Sequence, residues 1–441
     1  MAKKPIPARP ARASVAPAAT PATSNGIEAM LLAALAQGGD SLQTGRYLVT
    51  YKEGAQEAGM KAMKSQGLRA ADARDFSNQS VDVADVGDAD VLMYPEIGVA
   101  LVSGPALRSR GMSTQDEIAS DSPMQTIEPE YFVFAEGSAE DYLRGFLSAA
   151  EAISRDLGRA SGDSAADEVD AQVLGVTWGL SACRVPPSLR SGAGIRVAVL
   201  DTGMDLGHPD FAGRAFATSS FVGQPVQDLH SHGTHCIGTA CGPTAPAGST
   251  PRYGIAHRAL IFVGKVLTNS GSGTTASVLA GMNWAIANRC AVISMSLGSQ
   301  APVQAAYTAA GQAALNNGCL IVAAAGNAGS GVFTGAPANS PTIFAVASLD
   351  PGLAPSAFSC AGKIELAAPG RDVFSSVPRP TRYGIKSGTS MATPHVAGCA
   401  ALWAETSPNL RGASLWARLQ ASARPLPFAA ARVGRGLVQA P

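Results

Sequence analysis

Four short stretches of this sequence carry side chains that could do chemistry together. AVLDTGMDLGHPDF sets Asp201 directly after the apolar run IRVAVL, and SHGTHCIGTAC sets His232 at the start of a helix-like segment. SGTSMATPHVAG sets Ser390 between Gly388-Thr389 and a run of small residues, where a turn would place its hydroxyl at a helix N-terminus. A carboxylate, an imidazole and a hydroxyl are the parts of a nucleophilic relay. The imidazole takes the hydroxyl proton, while the carboxylate orients the ring and stabilises the imidazolium that forms. LIVAAAGNAG adds Asn327 in a Gly-flanked turn. With the backbone N–H of Ser390, its amide would make an oxyanion hole. Each residue alone also has a structural reading: Ser390 as a helix cap, Asp201 as a turn cap, His232 as a packed histidine, Asn327 as a left-handed turn residue. The combination points to nucleophilic catalysis.

Metal chemistry is the competing use of these residues. His232 and His235 stand three apart on one predicted helix, with an Asp elsewhere to complete a zinc site. HGTH lacks the Glu of H-E-x-x-H, however, and zinc leaves Ser390 and Asn327 without a role. No metal is assigned to the site.

The elements that must position these groups can be read from the apolar runs. From about residue 177, IRVAVL, ALIFVGKVL, AVISMSLG, CLIVAAAGN and TIFAVAS are too continuously apolar for half-exposed strands. Helical segments such as SVLAGMNWAIAN and VQAAYTAAGQAALNN separate several of them. This pattern predicts an α/β fold with a parallel central sheet and helices on both faces, whose sites gather at the carboxyl ends of strands. Asp201 and Asn327 stand there. Upstream, RYLVTYK, DVLMYPEIGVALVSG and TIEPEYFVFA read as strands around the helix EAGMKAMKSQG, making a small α+β unit. The division expected is a disordered tail over 1–26, the small unit over 27–136, a connector with one helix over 137–176, and the main domain over 177–441.

Composition bounds the partners. The 441 residues are 46% hydrophobic and 15% charged, with Lys plus Arg and Asp plus Glu both at 33, so nothing marks an electrostatic nucleic-acid binder. No apolar run reaches the length of a membrane span. The seven cysteines show neither C-x-x-C nor a zinc spacing and are read as buried free thiols. The basic, Pro/Ala-rich N-terminus lacks the apolar stretch of a secretory signal, which slightly favours the cytoplasm or non-classical export, with secretion as the alternative. The later AMLLAALA reads as an amphipathic helix.

DTGMDLGHPDF, HGTHCIGTA, SMSLGS, AAAGN and GTSMATPHVAGCAA resemble the signature blocks of the subtilisin-like serine proteases, in that family's order Asp, His, Ser. Cys236, directly after HGTH, resembles the branch around proteinase K, with a thiol packed behind the imidazole. The resemblance implies that Asp201 orients, His232 is general base and acid, Ser390 attacks and Asn327 stabilises the oxyanion. His235 is then structural. It further implies that Ser296, Leu297 and Gly298 form an edge pairing with the substrate backbone, and that Ala323, Ala324 and Ala325 wall the specificity pocket. With no acidic residue in that wall, an apolar side chain before the scissile bond is expected.

No cofactor is required on this reading. Family members often hold structural calcium, for which Asp210 is the candidate ligand here. The small unit resembles an inhibitor-type propeptide, so the chain's own N-terminal domain becomes an intramolecular inhibitor. Its cut is expected near Ala135 to Gly137, or later in the connector, or not at all. The expected activity is that of a serine endopeptidase zymogen acting on polypeptides, as a monomer. The alternatives are a maturation protease or peptide ligase with one partner, and a non-enzymatic binding module whose cleft stays filled.

Overall fold

The computed structural model describes residues 26–36, 42–65, 67–76, 89–109, 121–135 and 175–441. The tail expected over 1–26 and the connector expected over 137–176 fall almost entirely outside these residues.

The N-terminal unit runs α1 (Ile27–Ala36), β1 (Gln43–Tyr51), α2 (Gln56–Ser65), β2 (Ala70–Asp72), β3 (Val91–Tyr94), β4 (Val99–Val102), α3 (Gly104–Ser109) and β5 (Met124–Phe134). The apolar stretch around Pro95 breaks into β3 and β4 as expected, with Gly98 turning the chain at a φ of +66°. Every residue of these two strands is buried. Period-two alternation divides them. Val91, Met93, Ala100 and Val102 pack with Met63 and Leu107 of the unit's own helices. Leu92, Tyr94, Val99 and Leu101 face the main body.

The main body opens with α4 (Trp178–Ala182), β6 (Arg196–Asp201) and β7 (Phe216–Ser220), then α5 (His232–Cys241), β8 (Leu260–Lys265) and β9 (Ser272–Thr274). It continues through α6 (Thr275–Ala287), β10 (Val292–Met295), α7 (Ala305–Asn316), β11 (Leu320–Ala324), β12 (Phe344–Leu349) and β13 (Leu366–Pro369). The hairpin β14 (Val373–Ser376) and β15 (Tyr383–Lys386) precedes α8 (Thr389–Thr406), α9 (Gly412–Ser422) and α10 (Ala430–Val433). Seven strands pair in parallel in the order β13-β12-β11-β10-β6-β8-β7.

Helices cover both faces, as expected. On β6, Val197 and Val199 join the apolar cluster containing α5 and α8, while Ala198 and Leu200 join the one containing α6 and α7. The strand order reverses about β6, so its carboxyl end lies at the topological switch point where such sheets bind ligands. The small residues of α8 permit close approach. A Cβ on Gly398 would fall 2.7 Å from Cβ of Ile255 and 3.0 Å from the Ala240 carbonyl oxygen, so only glycine fits where this helix crosses its neighbours.

A second sheet joins the two units. Its order is β2-β3-β4-β1-β5-β9, so the last strand of the N-terminal unit pairs with a short strand of the main body. The register is antiparallel, Phe132 with Thr274, Val133 with Gly273 and Phe134 with Ser272. All seven cysteines are buried and free, in line with their reading as packed thiols. Among the described residues no helix is long and apolar enough to cross a membrane.

Candidate active site

Asp201 ends β6 at the switch point and His232 begins α5. Both are buried, and Oδ1 of Asp201 lies 2.7 Å from Nδ1 of His232. What places α5 so closely is a second carboxylate. Asp228, fully buried, accepts hydrogen bonds through Oδ1 from the hydroxyl of Thr202 and the N–H groups of His230 and Ser231. Its Oδ2 accepts the N–H and hydroxyl of Thr234. One side chain thus satisfies donors in the first turn of α5 and also holds the residue that follows Asp201. The Thr202 hydroxyl in turn accepts the N–H of Gly233 at 2.9 Å.

Burial alone would lower the basicity of His232, but the adjoining Asp201 carboxylate outweighs it and holds the imidazole well above the ordinary histidine range. Cys236 packs behind the ring, its Sγ 3.9 Å from Nδ1 of His232 and 3.6 Å from the Ser390 carbonyl oxygen. His235 turns away to the Val373 carbonyl at 2.9 Å, and burial pushes its pKa down to about 3. It is structural, as expected. Lys265 ends β8 beside Asp201 and is wholly buried, with its ammonium on the Thr202 carbonyl and on Asn269.

Ser390 sits in the first turn of α8, beneath the end of β5. Its Oγ lies 3.2 Å from the carbonyl oxygens of both Ala135 and Ser296. The hydrogen bond to His232 required of a relay is therefore not made in this state. A hydroxyl has one proton to donate, and main-chain carbonyls take it. Nε2 of His232 is left without a hydrogen-bond partner among the described residues. Asn327 follows β11, and its Oδ1 accepts both the N–H and the hydroxyl of Thr389, at 2.8 and 2.9 Å. That anchor leaves the amide nitrogen for an acceptor in the cleft.

Gly298, assigned to the substrate edge, pairs with β5 of the same chain. It exchanges two hydrogen bonds of 3.0 Å with Phe134, while the N–H of Ala135 donates to the Gly271 carbonyl at 2.9 Å. The end of β5 thus lies between two edges of the main body, by strand addition. A cavity beside Ser390 is lined by Leu297, Ala324, Ala325, Gly326, Asn327 and Gln300, and no acidic residue lines it. Ala323 does not line it. That residue pairs with Met295 and Ala345 inside β11 and its side chain belongs to the apolar core, because the cavity opens only where the strand ends. Ser296 is buried beside the cavity, with its hydroxyl on the Ser390 carbonyl.

Two carboxylates of β5 escaped the sequence reading. Glu128 accepts the N–H groups of Ala305 and Ala306 at the start of α7, at 2.9 and 2.7 Å. Glu130 accepts the N–H of Ala276 at the start of α6 and pairs with Arg46. Two apart on a strand, they share a face, and each meets a helix N-terminus where negative charge is favoured. Asp228, four residues ahead of His232, was also legible only as an acidic residue before a helix.

A calcium ion needs several oxygen ligands with free lone pairs. Asp210 offers little, since Oδ1 accepts the N–H of Ala247 and the hydroxyl of Tyr383, and Oδ2 the hydroxyl of Tyr253 at 2.6 Å. These residues do not fit a calcium site. Among the described residues one group of potential ligand atoms gathers closely, Asp201, His232 and Cys236, and it is the site already described.

Residues 192–436, more than half of the chain, match the Subtilase family, Peptidase_S8. The chain belongs to the subtilase family of serine proteases. This subtilase is 39% identical over 259 residues to subtilisin E of Bacillus subtilis, covering 56% of the chain and 66% of that protein. It is equally similar, at 39% over 259 residues, to subtilisin of Bacillus pumilus, 91% of which is covered. An alkaline protease of Shouchella clausii is 40% identical over 248 residues, covering 55% of the chain and 63% of that protein. The subtilase thus spans about two thirds of the length of most of these relatives.

Proposed function

We propose that this subtilase is a serine endopeptidase made as a zymogen, with Ser390 as nucleophile, His232 as general base and acid, and Asp201 orienting the imidazole. Ser390 passes its proton to Nε2 of His232 as Oγ bonds to the peptide carbonyl carbon. The amide nitrogen then leaves with that proton, and water hydrolyses the acyl-enzyme by the reverse transfer. The Asn327 amide and the N–H of Ser390 receive the oxyanion.

The observation that carries this reading is the seating of β5. A peptide strand ends with the Ala135 carbonyl against the Ser390 hydroxyl, bonded on both edges as an extended substrate. On this reading the N-terminal unit is an intramolecular inhibitor, cut within Ala135 to Gly137. Asp210 is held by tyrosine hydroxyls in place of calcium. A reducing compartment is supported by the seven unpaired thiols, and monomeric action by a cleft filled from within the same chain.

The test is labelling with a fluorophosphonate after the N-terminal unit is removed. Wild type takes the label and Ser390→Ala does not. A wild type that takes no label leaves a binding module with a filled cleft as the surviving reading.

A further inference from the structure

The strand in the cleft has a second face. Val133 and Ala135 turn toward the apolar cluster of the main body. Phe132 and Phe134, at the alternate positions, belong to a separate apolar cluster. Both are buried, at 0% and 2% exposure. Two aromatic rings are a large apolar area to leave in solvent, and α1 packs against them. Ile27 and Leu31 of that helix, themselves buried, form one cluster with the two phenylalanines and with Val222 of the main body. The helix touches β1 and β9, and its Glu28 accepts the hydroxyl of Ser270 at 2.8 Å. On its other side, among the described residues, Leu32 is 48% exposed.

We propose that α1 is a latch, docked on a main-body surface centred on Val222 and Ser270, which holds the cut end of β5 in the cleft after processing. This rests on the inhibitory reading of the N-terminal unit and adds to it an interaction surface outside the cleft. The partner this surface fits is a short, largely apolar helix laid across a strand with aromatic residues at alternate positions. Because α1 and β5 lie on the same side of the proposed cut, they leave together. Release of the strand then requires the helix to lift.

The test uses the full chain. Leu31→Asp places a charge in the covered cluster, and Leu32→Asp, on the exposed side of the same helix, is the control. In the Ser390→Ala background, which keeps the chain uncut, three amides report on the strand. They are Phe132, bonded to Leu42, Phe134, bonded to Gly298, and Ala135, bonded to Gly271. Leu31→Asp is expected to speed their hydrogen exchange about tenfold or more. With Ser390 intact it should shorten the lag before peptidase activity by a similar factor, leaving the final kcat/KM unchanged. Glu28→Ala, which disturbs no apolar packing, is expected to shorten the lag about two- to threefold and stands in should Leu31→Asp fail to fold. Equal exchange and an equal lag in both variants and wild type overturn the latch. An enzyme that never takes the fluorophosphonate label, latched or not, overturns the protease reading instead.

Discussion

The hydroxyl of Ser390 lies 3.2 Å from the carbonyl oxygen of Ala135, 255 residues earlier in the chain. A nucleophile facing a main-chain carbonyl of its own polypeptide predicts where the chain is cut. N-terminal sequencing of the purified wild type is expected to find a mature chain beginning at Glu136 or Gly137. Ser390→Ala is expected to remain full length. A start deep in the 137–176 connector, or an uncut wild type, refutes this assignment.

His232 predicts the pH dependence. The base must be neutral to accept the Ser390 proton, and the Asp201 carboxylate holds the imidazole's pKa above its ordinary value of about 6.5. Activity is therefore lost as pH falls through that raised value, and the acid limb of kcat/KM should lie on the alkaline side of about 6.5. Asp201→Asn removes the charge, so the limb should move to lower pH while kcat falls roughly 10⁴-fold. An unmoved limb means Asp201 does not set the basicity of the ring.

Asn327 is anchored to Thr389 by its carbonyl oxygen, so its amide nitrogen is the part left for the transition state. Asn327→Ala should lower kcat by about 10²- to 10³-fold, with KM nearly unchanged. A change confined to KM would assign the residue to substrate binding.

Asp228 satisfies five donors, from the backbone N–H groups of His230, Ser231 and Thr234 and the hydroxyls of Thr202 and Thr234. Replacing it with Ala leaves several buried donors unpaired, at about 1–3 kcal/mol for each such group. Thermal unfolding should show a Tm lowered by several degrees. Asp228→Asn, similar in shape, should recover much of the Tm while kcat/KM stays at least tenfold low, because its amide NH₂ opposes an N–H and misplaces α5. Full activity in this variant would deny Asp228 any part in positioning His232.

Asp210 spends both oxygens on protein donors. Chelation with EDTA is therefore expected to leave Tm unchanged, whereas Tyr253→Phe should cost about 1 kcal/mol. A Tm that falls with EDTA and returns with calcium would locate a calcium site elsewhere in the chain.

How far the site could be read in advance depended on how local its signals are. Asp201, His232, Ser390 and Asn327 each stand beside a strand end or helix start whose type is written in nearby residues, so their elements were legible. Ala323 was misplaced because the last paired residue of β11 depends on its neighbours β10 and β12. Glu128 and Glu130 were passed over because a carboxylate on a strand has no local mark of the helix it will meet. Asp228 was missed for the same reason, since its partners include Thr202 on the far side of the β6 turn.

The amino-acid order by itself determined the α/β layering, the buried parallel strands and the chemical types gathered at their ends. These follow from apolar periodicity and turn chemistry acting over a few residues. Only the tertiary structure decided that β5 enters the cleft, that Ser390 faces Ala135 rather than His232, and that α1 closes over Phe132 and Phe134. Those are pairings between surfaces, and backbone edges pair with little regard to side-chain identity.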